Sequence, residues 1–420
     1  MAELPDMRAG AVPAKGVEGM MDPVLRDRRI WVLMAAAMLT IMSNATITPA
    51  LPGLQQMFAA NPDAALMTRL LITAPSLLVA ITAPIAGSIT DRIGRIRPLC
   101  WGLVLFSVAG TAGLYLGSLE AILASRLALG LGVACIMTAQ AALIGDYYEG
   151  PVRARLMGYQ MAAVNLGGLI FVTAAGAMAA HDPRLPFAIY GLGLILILPA
   201  LRCLHEPART IHDGILGEPR APAEPGWQLN VGLMAVAAGA TFVMYYAVPT
   251  QLPYLMASVG LDQPQQAGLV LGATMLAAAV LSVASGPLRR WLGRVGTPVT
   301  GFMLLAAGFW GMAEAQTMVT QMSFAALNGA GLGLTMPAFV TTALNVTPAH
   351  RRGTVSGIIT SAIFLGQFLS PLATQPLVTY LGYSGAFHVA AVSYVVLGAL
   401  LFLTMRRQPG SVPAHPPRKG

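Results

Sequence analysis

The chain alternates between long apolar runs and short polar breaks. Each run is close to the roughly 20 residues a helix needs to cross the hydrocarbon core of a bilayer. Twelve runs lie at about 30–52, 66–89, 98–117, 121–145, 156–180, 185–203, 229–256, 265–288, 298–315, 318–343, 354–378 and 384–405, and are numbered below as spans 1 to 12. Gly and Pro fall inside many of them, which a helical membrane bundle tolerates because neighbouring helices satisfy the freed backbone groups. The longest interior polar stretch, Arg202 to Gln228, separates six spans from six. The pattern predicts an all-α integral membrane protein with a polar tail at 1–29, a six-helix bundle at 30–203, a linker at 204–228, a second bundle at 229–405 and a tail at 406–420.

The two halves resemble each other at an offset of 199. Gly87 answers Gly286, Gly94 answers Gly293, Arg95 answers Arg294, Arg153 answers Arg352, Gly158 answers Gly357 and Gly167 answers Gly366. Pro49 and Pro52 of span 1 similarly find counterparts in Pro249 and Pro253 of span 7. A parallel six-plus-six repeat is expected of secondary transporters whose substrate site lies between the halves.

Composition agrees with this layout. Hydrophobic residues make up 56% of the chain and charged residues 10%, against about 25% charged in a soluble domain. The net charge of +8 suggests a nucleic-acid partner until the positions of the charges are read. With Arg202 counted in the central linker, 22 of the 25 Lys and Arg fall in the tails and in the loops after even-numbered spans, and only Arg184 follows an odd one. That asymmetry predicts cytoplasmic termini on a retained first helix and no nucleic-acid partner; a bacterial inner membrane is the expected location. Cys100, Cys135 and Cys203 are odd in number and lie in or beside apolar runs, so they read as small core residues. No nucleotide-binding loop, nucleophile elbow or His/Cys ligand cluster is present, and neither an enzyme nor a cofactor is expected.

The break between spans 2 and 3 reads Gly87-Ser88-Ile89-Thr90-Asp91-Arg92-Ile93-Gly94-Arg95. It matches the G-x-x-x-D-R-x-G-R signature of the major facilitator superfamily, which the chain resembles over residues 30–405. Within that family it is most similar to the twelve-span drug and metabolite exporters, through Arg126 to Gly130 in span 4 and Tyr245 to Pro253 in span 7. The resemblance implies alternating access, with Gly87, Asp91, Arg92, Gly94 and Arg95 forming a latch against the start of span 11 at Arg351, Arg352 and Gly353. Gly87 is expected to let span 2 approach a neighbour closely. Three departures stand out. Asn44 precedes Pro49 where many exporters carry an acid, Val172 and Thr173 replace the Gly-Pro of the span-5 antiporter motif, and Arg290 occupies the acidic position of the second loop. The first two argue against proton antiport.

Among intramembrane polar residues, Arg126 is the costliest to place in lipid, and it is expected to face protein or water. Arg69, nearer the end of its span, reads as an anchor. Asn44, Gln140, Tyr245, Tyr246, Gln251 and Asn328 are the further candidates for a substrate or proton path, with Thr48, Met137, Asn165 and Gln367 beside them. For each amide the plainer expectation is helix–helix hydrogen bonding. No acidic residue is expected near the midplane, which favours neutral or anionic cargo over lipophilic cations. His388 reads as a structural residue. These features predict a monomeric secondary transporter exporting a small amphipathic compound or metabolite, with protons as a candidate coupling ion. The alternatives are uptake or facilitated diffusion of an organic anion through Arg126, and a non-transporting membrane sensor or assembly factor.

Overall fold

The computed structural model describes residues 27–207, 227–347 and 351–406, so the tails and most of the linker lie outside the described residues. It contains twelve spanning helices in two bundles, and no strand occurs among the described residues. Span 1 begins with the helix Arg28–Ala45, capped by the Asp27 carboxylate, which accepts from Arg29 N. A 3-10 turn at Thr48–Ala50 and a short helix, Leu51–Met57, complete it. Pro49 and Pro52 lack the N–H groups that would continue the ladder, and this fixes the break. Span 7 is interrupted at the same level, as Trp227–Tyr245 and Ala247–Ser258.

Spans 2 to 5 are the helices Ala64–Ile93, Ile96–Thr111, Leu119–Tyr147 and Gly150–Ala179. Span 6 follows a 3-10 turn as Leu192–Cys203, and span 10 is Met318–Val346. Spans 8 and 9 run through Pro264–Glu314 with a sharp turn at Gly293 (φ 75°), and spans 11 and 12 through Arg352–Arg406 with a turn at Gly382 (φ 71°). Large apolar side chains such as Trp101, Ile195, Val236 and Val283 point outward, as a lipid-facing surface requires.

The 199-residue repeat is visible in the packing. A Cβ on Gly130 would strike Pro75 O, and one on Gly329 would strike Thr274 O. Gly102 and Gly132 sit against each other's carbonyls between spans 3 and 4, and Gly301 and Gly331 do the same between spans 9 and 10. Each pair differs by the repeat offset, so the same small residue opens the same crossing twice. Gly94 and Gly293 share this relation and both hold positive φ, 100° and 75°, where a side chain would be strained.

The bundles meet along spans 2 and 11 and along spans 5 and 8. Gly176, which survives from the degraded span-5 motif, lies against Gly268 at the second seam. At the first, Ser361 Oγ donates to Ala80 O at 3.1 Å.

Candidate functional site

The proline breaks leave the middle of span 1 beside span 7, and the polar residues flanking them meet. Asn44 Nδ2 lies 3.1 Å from Ser76 Oγ, 3.0 Å from Tyr246 Oη and 3.0 Å from Gln367 Oε1. Ser76 Oγ donates to the same Gln367 oxygen at 2.7 Å, and Ser43 Oγ donates to Asn44 Oδ1 at 3.1 Å. An amide nitrogen carries two hydrogens, so three acceptors at similar distance compete for them. Spans 1 and 2 of one bundle are thereby joined to spans 7 and 11 of the other by neutral side chains. Tyr245 packs its ring against Phe242 and Tyr246.

Toward the face opposite the arginine-rich loops the halves are bolted together, and here the expectation for Arg69 is corrected. It is no surface anchor: the side chain is 1% exposed. Its Nε donates to Gln251 Oε1 at 2.7 Å, its Nη1 to Gln55 Oε1 at 3.2 Å and its Nη2 to Tyr383 Oη at 3.2 Å, and it also contacts Ala65 O. The guanidinium lies 4.1 Å from the centre of the Tyr254 ring, which stacks on Tyr383. Gln251 is held from behind by Thr374 and Gln375. The sequence placed Arg69 near a span end, but the short helix Leu51–Met57 and the second part of span 7 fold over that end. A cation and an amide at matching depth on spans 2 and 7 were the available signal.

Toward the arginine-rich face the halves separate around a cavity of about 870 Å³. Its wall includes Gly87 and Thr90 of span 2, Met137 and Thr138 of span 4, and Thr354, Thr360 and Ser361 of span 11. No ionisable side chain lines it among the described residues. Among the described residues a Cβ on Gly87 would meet nothing within 4 Å, so the expected close helix approach is not made there. Gln140 faces inward instead, its Nε2 donating to Leu33 O at 2.6 Å across spans 4 and 1. Asn328 is fully buried against Gly308, with Nδ2 3.5 Å from Leu305 O, and Asn165 bonds the backbone of its own turn at Met161. Thr48 is buried at the span-1 break. Arg126 is buried inside the first bundle, away from the cavity wall, with Phe187 and Tyr190. His388 has company: its Nε2 is 2.9 Å from Glu314 Oε1, and its ring lies against Trp310.

The signature loop is ordered by its own bundle. Arg95 Nε pairs with Asp146 Oδ2 at 2.8 Å. The Glu206 carboxylate accepts from Arg95 N at 2.5 Å and Ile96 N at 3.1 Å, capping the N-terminus of span 3. A carboxylate is favoured at that end of a helix dipole, and any side chain on Gly94 would collide with it. Arg92 is exposed at the end of span 2. The side chains of Asp91, Arg352 and Gly353 lie outside the described residues, so the latch rests on the sequence. Nearby, Asp27 bonds Arg29 and Tyr148. Burial would raise its pKa, but those hydrogen bonds outweigh it and hold the group down at about 2.

A family model for the Major Facilitator Superfamily matches residues 33–371 and 234–420. The multidrug efflux protein YfmO of Bacillus subtilis is 27% identical over 394 residues, covering 91% of this chain and 94% of that protein. The quinolone resistance protein NorA of Staphylococcus aureus is 26% identical over 208 residues, 49% of this chain, and the match spans about half of that relative's length, 53%. Among solved structures, a D-xylose–proton symporter superposes with a TM-score of 0.74 at 15% identity, covering 89% of this chain and 97% of its own. A bacterial homologue of the lysosomal transporter Spinster, in an inward-facing and occupied conformation, gives 0.70 at 17%, covering 92% and 98%. Both likenesses are of fold.

Proposed function

The chain belongs to the Major Facilitator Superfamily, and from that premise we propose that it exports a small amphipathic compound from the cytoplasm by alternating access, as a monomer in a bacterial inner membrane. The cavity carries this reading. It is large enough for a drug-sized molecule, it opens beside the loops whose Lys and Arg predict the cytoplasmic side, and apolar and hydroxyl groups line it. Such a wall favours uncharged, partly hydrophobic cargo, because an unpaired charge in an apolar site is heavily penalised. Efflux relatives at 26% and 27% identity support the direction.

The cycle follows from the two cross-bundle contacts. With the Arg69 cluster closed and the cavity open, cargo enters from the cytoplasmic side. Rocking of the bundles about the Asn44 node then closes spans 2, 4 and 11 around it and parts Arg69 from Gln251 and Tyr383, releasing cargo outside. Asp91, Arg92 and Arg95 latch the cytoplasmic edge in that second state, with Gly87 brought against span 11. The node holds amides and hydroxyls where a titrating carboxylate would carry a proton, so a drive through Asn44 is disfavoured.

Expression in an efflux-deficient bacterial host tests the proposal. A panel of fluorescent amphiphiles matched in size and differing in charge should show lowered cellular accumulation, strongest for neutral members. Unchanged accumulation across the panel, or a rise, would refute export.

A further inference from the structure

Arg126 raises a chemical question that transport of a neutral compound leaves unanswered. Its side chain has no exposed surface, and an arginine keeps its charge at any accessible pH. The burial therefore cannot be relieved by losing a proton, as it could for a lysine. One guanidinium nitrogen, Nη2, donates to Tyr190 Oη at 3.1 Å, and the group lies 4.8 Å and 4.5 Å from the Phe187 and Tyr190 ring centres. Tyr190 donates onward to Met42 O at 2.8 Å, a carbonyl that also receives Thr46 N at 3.3 Å. Thr46 thus shares this corner, where span 1 leaves its helix.

Two donors there are unsatisfied: Arg126 Nε and Arg126 Nη1 are buried and have no hydrogen-bond partner among the described residues. Thr46 Oγ1 is buried within reach of the Tyr190 hydroxyl, and its own hydroxyl can turn from that oxygen toward an ion. Ion pairs join Arg29 to Asp27, Arg95 to Asp146 and His388 to Glu314, and among the described residues none involves Arg126. Buried polar groups are nearly always paired, and a buried charge left alone is severely penalised. Aromatic faces offset part of that penalty but do not accept the remaining N–H groups.

We propose that Arg126, together with Thr46, binds a compact monovalent anion of chloride size inside the first bundle. One charge is neutralised by one charge, and the corner enclosed by Phe187, Tyr190 and the Met42 backbone suits a small ion over a bulky one. The site lies apart from the cavity wall and does not depend on the direction of transport.

Thermal unfolding of the purified full-length protein in detergent, in sodium chloride, bromide, acetate or gluconate at one pH and ionic strength, is the test. Chloride and bromide should raise Tm by several degrees over gluconate, with saturation, because a ligand held only by the native state stabilises it. A rise with acetate equal to that with chloride would contradict a site of chloride size and overturn the proposal. Arg126→Met should lose the response while keeping its Tm in gluconate at or above wild type, since an apolar side chain suits that position better than an uncompensated charge. If that variant does not fold, Thr46→Val, which keeps the charge, should shift the halide titration several-fold to higher concentration. Identical wild-type Tm in all four salts, or an undiminished halide response in Arg126→Met or Thr46→Val, would overturn the proposal.

Discussion

Replacing Gln251 with leucine tests the outer closure with a sign that can be worked out beforehand. In the closed arrangement Arg69 Nε donates to Gln251 Oε1 at 2.7 Å, and the residue is 1% exposed. Leucine removes the acceptor and leaves a charged donor out of water. A hydrogen bond to a charged group contributes about 1.5–3 kcal/mol. Once the halves part, water solvates Arg69 and the substitution costs little, so nearly the whole loss falls on the closed state. At 1.4 kcal/mol per tenfold, the equilibrium should move about 10- to 150-fold toward the outward-open form. Arg69→Met differs in sign, because it removes the buried charge along with its bonds, and the Gln251→Leu/Arg69→Met pair should recover most of the closed population. Spin labels on Ala59→Cys and Ser258→Cys, both exposed on the far face beyond spans 1 and 7, report the separation by pulsed electron resonance. Gln251→Leu should add a longer-distance population that Arg69→Met suppresses. A distribution unchanged by Gln251→Leu would refute the reasoning.

Asn44→Leu should cut efflux at least tenfold with normal membrane insertion, since it breaks the bonds to Ser76, Tyr246 and Gln367; dye-efflux rates from preloaded cells measure it. Asp91→Asn should likewise insert normally and transport poorly, and wild-type efflux from that variant would remove the latch. Glu206→Gln should lower stability in detergent by about 1 kcal/mol, the scale of a lost helix cap, because a neutral amide accepts less strongly from Arg95 N and Ile96 N. Asp27 has a pKa lowered from 3.8 to about 2, so its contribution to stability is full above pH about 4 and lost as pH falls toward about 2. Thermal scans of wild type against Asp27→Asn should converge across that window and differ by a constant amount above it.

Much of the fold was legible because its rules are short-range. Bilayer thickness sets run length, alternating loop charge sets topology, and the matched glycines and prolines announce the repeat that Gly130 and Gly329 realise in packing. The candidate site was legible only in part. Asn44, Tyr246 and Gln251 flank the proline breaks and, with Gln367 of span 11, do meet partners across the bundles, whereas Gln140 and Asn328 satisfy backbone within one bundle. Periodicity in a span that is apolar on all sides does not tell which face meets a helix and which meets the cavity. Arg69 was misplaced for a related reason: depth was judged along one helix, while burial came from two others folding over its end.

Uptake into energised inside-out membrane vesicles addresses export most directly, because the cytoplasmic face then meets the medium. Vesicles carrying the chain should concentrate a neutral amphiphile above empty controls, and the Asn44→Leu variant should not. Concentration by right-side-out vesicles alone would contradict the account and make the chain an importer.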